Sequence, residues 1–173
     1  MYNIKSQFIF LTLLVFTFGC GIYSFTGASI PAGAKSFQVD YFENQAGSRP
    51  GSTVEPGVDR DFTLQLQDII LNQTNLNLVS SNGDLFYEGE IVEYSVTPMT
   101  STANLTAAQN RLTVTINLRY TNVNNEEDDF ESRFSFFYDF PAEQQLYDIK
   151  GAAHDEIFER LTQNIFNATL AKW

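Results

Sequence analysis

The stretch NRLTVTINLRYTN, residues 110–122, alternates without interruption. Leu112, Val114, Ile116, Leu118 and Tyr120 fall on one side, with Arg111, Thr113, Thr115, Asn117, Arg119 and Thr121 on the other. Successive side chains of an extended chain point to opposite faces, so this is a strand with one wall in a core and one wall outside it. The flanking segments must supply the rest of the sheet and whatever covers its apolar wall.

On the C-terminal side, FESRFSFFYDF (130–140) repeats the pattern with Phe130, Phe134, Phe136, Tyr138 and Phe140 inward. The joining run NNEEDDF (124–130) holds consecutive acids but lacks the spaced ligands and central glycine of a calcium loop. It reads as a solvated hairpin tip whose like charges discourage edge pairing. On the N-terminal side, LFYEGEIVEYSVTP (85–98) changes phase: Leu85, Tyr87 and Ile91 share one parity, Val92, Tyr94 and Val96 the other. A β-bulge is therefore expected between Gly89 and Val92. The connection TPMTSTANLTAAQNRL (97–112) has no acid and carries Met99 and Arg111, which makes it the better end of the sheet for contact.

Helical spacing appears twice. DRDFTLQLQDIILNQ (59–73) places Phe62, Leu66, Ile69 and Ile70 on one side, with Asp59 or Asp61 near the positive end of the helix dipole. From about Asp148, Ile157, Phe158, Leu161, Ile165, Phe166 and Leu170 mark a second amphipathic helix that closes with Trp173. SFQVDYF (36–42) is a first strand with Phe37, Val39 and Tyr41 on one face. The loop 43–58 that follows it is rich in Gly, Pro and Ser and too polar to pack. Leu76 to Val79 is a short extended piece, and Ser80 to Asp84 a turn.

This order predicts a single α+β domain over residues 36–173, in which two helices pack on one face of a four- to five-stranded mixed β-sheet. The opposite face is expected to be polar and uncharged over much of its area. Its Thr and Asn row suits plain solvent or the aqueous lumen of a β-barrel.

Catalytic groups are sparse. The only histidine, His154, starts the last helix beside Asp155 and Glu156, which diverge around the helix and make no convergent acid–base or metal set, so it reads as a surface residue. There is no phosphate-cradling glycine loop and no nucleophile elbow. No enzyme, metal or cofactor is expected.

The N-terminus carries a different message. Lys5 precedes the apolar block FIFLTLLVF (8–16), long enough for an export signal and short for a membrane span. Gly19 and Cys20 then resemble a lipobox, with Thr17 where leucine is usual. Residues 1–19 read as a lipoprotein signal peptide, Cys20 as the site of lipid attachment and residues 20–35 as a tether. Cys20 is the only cysteine, so it has no internal disulfide partner. Loss of residues 1–19 removes Lys5 and no acid, taking the formal charge from -11 to -12. Such a balance excludes nonspecific binding to nucleic acid.

CGIYSFTGASIPAGAKSFQVDYFENQA (20–46), NGDLFYEGEIVEYSVTP (82–98), the strand 110–122 and the ending FNATLAKW (166–173) together resemble the LptE family of lipopolysaccharide-assembly lipoproteins. The resemblance implies a lipoprotein on the periplasmic side of the outer membrane that plugs a large β-barrel of the lipopolysaccharide translocon. It also implies help in assembling that barrel and in delivering lipopolysaccharide to the cell surface. On that reading Thr115 and Asn117 lie on the partner face, and Arg111, Arg119 and Arg133 are the candidate contacts for an anionic lipid. Arg111 and Arg119 are about 27 Å apart along their strand and cannot grip one phosphate together. The competing reading is a periplasmic adaptor that binds another envelope protein or the peptidoglycan machinery. Mass spectrometry of the protein extracted from membranes should find Cys20 as a lipid-bearing N-terminus; an unmodified thiol there would overturn the anchor.

Overall fold

The computed structural model describes residues 28–99 and 108–171; the expectations for residues 1–27, including Cys20, for 100–107 and for Trp173 lie outside the described residues. Strands β4 (Leu85–Met99), β5 (Gln109–Asn122) and β6 (Phe130–Pro141) form an antiparallel meander. On the other side of β4, β1 (Ser36–Val39) and then β2 (Glu43–Asn44) run parallel to it, and β3 (Asn77–Leu78) lies outside β1. The order is β3-β1-β4-β5-β6. Helices α1 (Val58–Gln73) and α2 (Leu146–Leu170) cover one face, giving the expected two-layer α+β fold on an open mixed sheet.

The inward row of β5, from Leu112 to Tyr120, is buried, as are all the apolar positions of α2 named above. An edge-to-face chain of rings ties the layers together: Phe42 meets Phe62 of α1 at 5.1 Å, and Phe62 meets Phe158 of α2 at 5.9 Å. α1 starts at Gly57, whose φ of 84° suits glycine, and carries Asp59 and Asp61 in its first turn.

Three expectations are corrected. The first strand breaks after Val39: Tyr41 is 57% exposed, while Phe42 is fully buried. The chain steps at Asp40 and Tyr41, so the apolar phase shifts by one and Phe42 replaces Tyr41 in the core; its N–H donates to Thr63 Oγ1 at 3.2 Å. The Gly/Pro/Ser loop does pack. The Gln45 N–H donates to the Ile91 carbonyl, the Thr53 N–H and the Ser52 hydroxyl both donate to the Tyr94 carbonyl, and Ala46 is buried. Its polar side chains and backbone groups thus continue the pairing along β4 where β2 ends. The bulge is present between Ile91 and Glu93, but Val92 is its extra residue and stays out of the core, and Val96 lies near the end of the sheet at 38% exposed.

The lone histidine is also misplaced as a surface residue. His154 is half-buried, stacked on Phe158 at 5.1 Å, with Tyr94 Oη 3.0 Å from its Nε2. Burial pushes its imidazole below the ordinary histidine range, and the charges nearest it are Glu55, Lys150, Asp61 and Asp155. The unfolded chain, at the ordinary value of 6.5, takes up the proton first. The stability contributed by His154 is complete above that value and is lost as pH falls below it. Thermal unfolding of the wild type should therefore drop more steeply between about pH 7 and pH 5 than that of His154→Phe, which keeps the ring packing without the titration; parallel curves would contradict this.

Gly89 gives a second test. A Cβ there would lie 2.1 Å from the Asn117 carbonyl oxygen and 2.8 Å from the Phe42 ring, so glycine is what lets Phe42 lie over β4. Gly89→Ala should destabilise the fold by about 3 kcal/mol in denaturant titration, the upper range for overpacking. A change below about 1 kcal/mol would show that β4 and β5 shift apart to admit the methyl group.

Candidate interaction surface

The outward wall of the meander is built in rungs across β4, β5 and β6. Glu88, Arg119 and Glu131 form one, Glu90, Asn117 and Arg133 the next, and Glu93, Thr115 and Ser135 the third. Strand alternation places these nine side chains on the face away from the helices, and strand pairing sets them side by side.

Each central residue is engaged by its neighbours. Arg119 pairs with Glu88 at 2.9 Å and reaches Glu90 at 3.5 Å. The Asn117 amide donates to Glu90 and to Glu131, both at 2.8 Å. Thr115 donates to Glu93 at 3.1 Å and shares a 3.0 Å contact with Ser135, which leaves it only 6% exposed. Further along β5, Arg111 grips Asp139 with two 2.7 Å hydrogen bonds and lies 3.5 Å over the Phe137 ring. The guanidinium holds the Asp139 carboxyl below its usual range.

The face is therefore not the uncharged Thr/Asn surface the sequence suggested. Glutamates of β4 and β6 flank the Thr and Asn of β5, and they escaped notice because a single strand shows only its own row. Arg111 and Arg119 are committed to carboxylates, which removes much of their capacity for an external anion. Among the described residues Arg133 has no hydrogen-bond or ion-pair partner. It lines, with Gln45, Ser48, Arg49, Pro50 and Val92, a cleft of about 330 Å³. Arg49 pairs with Glu93 at 2.9 Å and is half-exposed. Sequence reasoning missed Arg49, because it lies in the loop that was expected not to pack. Val92, the extra residue of the bulge, lines the same cleft as the two arginines. A neighbouring cleft of about 260 Å³, lined by Asp40, Glu43, Glu88, Glu90 and Arg119, is acidic.

The acidic hairpin tip is likewise more than a solvated cluster. Asp129 accepts from the Asn122 N–H at 2.7 Å, and Asp128 from the Asn122 side chain at 2.9 Å, so these two carboxylates shape the turn. Glu126 and Glu127 are exposed and take no such part. Among the described residues no three His, Cys, Asp or Glu groups are placed to hold a metal, and no helix is long and apolar enough to cross a membrane. Among the described residues the face is a wall of ion-paired and hydrogen-bonded side chains, with Arg133 and Arg49 at one cleft.

Comparison with curated protein sequences finds no match. Among solved structures, a minor lipoprotein from Acinetobacter baumannii shares 14% identity over 78% of this chain and 91% of its own, with a TM-score of 0.46. Lipoprotein B from Nitrosomonas europaea shares 14% over 80% and 82%, TM-score 0.44, and lipoprotein GNA1162 from Neisseria meningitidis 11% over 76% and 95%, TM-score 0.42. The family model for LptE, lipopolysaccharide-assembly, matches residues 34–169, from just before β1 to the last turn of α2. The chain belongs to the LptE family of lipopolysaccharide-assembly proteins.

Proposed function

We propose that this protein is a lipoprotein, held by lipid on Cys20 at the periplasmic side of the outer membrane, that fills the lumen of a large β-barrel and supports lipopolysaccharide delivery through it. The family match over residues 34–169 carries the reading. The outward sheet wall supports it, because cross-strand ion pairs and hydrogen bonds keep that face hydrated and compatible with the polar interior of a barrel. A lumen-filling role calls for a rigid polar wall rather than reacting groups. Within that role Thr115 and Asn117 hold the wall together, and Arg133, beside the Glu93-paired Arg49, is the contact for an anionic lipid headgroup. Arg111 and Arg119 brace the wall through their carboxylates.

Affinity purification of the full chain from detergent-extracted membranes should recover a large β-barrel protein together with lipopolysaccharide. Arg133→Glu should leave barrel recovery intact and lower lipopolysaccharide binding by roughly tenfold, the scale of one charge-assisted contact. Replacing Glu126 and Glu127 with serine should change neither. Recovery of a cell-wall synthase in place of the barrel would replace this reading with that of an envelope adaptor.

A further inference from the structure

The cleft lined by Arg49 and Arg133 has a carboxylate built into its side. Arg49 donates from Nη1 to Glu93 Oε2 at 2.9 Å. The same oxygen accepts from the Thr115 hydroxyl at 3.1 Å, and Oε1 accepts from the Ser95 hydroxyl at 2.9 Å. Donors from the loop, from β5 and from β4 thus hold Glu93, whose side chain is 20% exposed, while Arg49 is 52% exposed. Arg49 therefore brings N–H donors to the cleft with its charge already matched by Glu93. Arg133 is exposed and, among the described residues, has no such carboxylate beside it.

We propose that Glu93 sets the charge selectivity of this cleft, so that it takes a singly charged oxyanion, a phosphodiester headgroup, ahead of a doubly charged phosphomonoester. The inference deepens the headgroup contact proposed above and rests on it. Two guanidiniums and one carboxylate leave a single formal positive charge at the cleft. Attraction to that charge grows in proportion to the charge of the ligand, whereas the cost of taking an ion from water grows with its square. A second negative charge must therefore find a second cation, and the one available is already held by Glu93. The surroundings add to the discrimination. Gln45 lines both this cleft and the acidic one beside it, and its amide donates to Glu43 at 3.2 Å rather than being free for an anion. Glu43, Glu88 and Glu90 in that second cleft repel a dianion more than a monoanion. Rejection of the more highly charged ligand thus comes from a built-in repulsive group, one of the two ways in which binding sites discriminate.

The test uses the full chain in nonionic detergent at pH 8 with two probes that differ by one charge. Dimethyl phosphate carries one negative charge, and methyl phosphate, with a second pKa near 6, carries close to two. Binding of each is followed by the phosphorus-31 line width of the probe. The wild type should bind dimethyl phosphate at least as tightly as methyl phosphate. Glu93→Gln keeps the length of the side chain and an acceptor oxygen but removes the charge, and should raise the preference for methyl phosphate about tenfold, reversing the order. Arg49→Gln removes the cation and leaves Glu93, and should shift the preference about tenfold the other way. Arg133→Glu should weaken both probes by tenfold or more. Tighter binding of methyl phosphate by the wild type, or a ratio that neither Glu93→Gln nor Arg49→Gln changes, overturns the selectivity while leaving the headgroup contact in place. Binding that survives Arg133→Glu undiminished overturns the contact itself, and the selectivity with it.

Discussion

The structure depends on the pairing of β4 with β5, which runs from Leu85 opposite Asn122 to Met99 opposite Gln109. A ladder of this length fixes which face of every adjoining strand is inside, because a slip of one residue would turn a whole row of aliphatic side chains into water. β6 inherits its inward row from β5, and β1 and β2 inherit theirs from β4. The bulge at Val92 is tolerated because it restores the phase that the sequence breaks: Tyr94 returns to the core after Ile91.

The same ladder organises the opposite wall. Once Glu88, Glu90 and Glu93 are set beside Arg119, Asn117 and Thr115, the neutral residues become spacers and donors between carboxylates. Individually, exposed ion pairs of this kind contribute little to stability. Their joint effect is to fix side chains that would otherwise sample many rotamers, so the wall has a definite shape. Arg111, clamped by Asp139 and stacked on Phe137, is the clearest instance.

Much of the fold was legible because the signals were periodic and uninterrupted. The inward row of β5, the apolar stripe of α2 and the phase change in β4 need only counting by two or by three and four. What escaped depended on neighbours distant in sequence. Tyr41 and Phe42 exchange places because the chain steps onto β4 beside Gly89, and nothing between residues 36 and 42 signals that hollow. His154 looked exposed because its sequence neighbours are acids, whereas its spatial neighbours are Tyr94 and Phe158. The acidic rungs were invisible for the same reason: the outward Glu of one strand says nothing of what it faces until registers are known. Arg111, Arg119 and Arg133 looked alike in sequence, and only the registers show that Arg111 and Arg119 are held by carboxylates.

The turn before β4 holds a further consequence. The Asp84 carboxylate accepts from the backbone N–H groups of Lys35 and Ser36 and from the Ser36 hydroxyl, and these hydrogen bonds hold its pKa below the usual carboxylate range. β1 begins at that point and lies between β3 and β4, parallel to both. Tension applied along β1 through the residues ahead of Lys35 therefore loads two ladders and the Asp84 clamp in shear at once, rather than peeling one hydrogen bond after another. Mechanically, force arriving along β1 is spread over several hydrogen bonds and passes directly into β4.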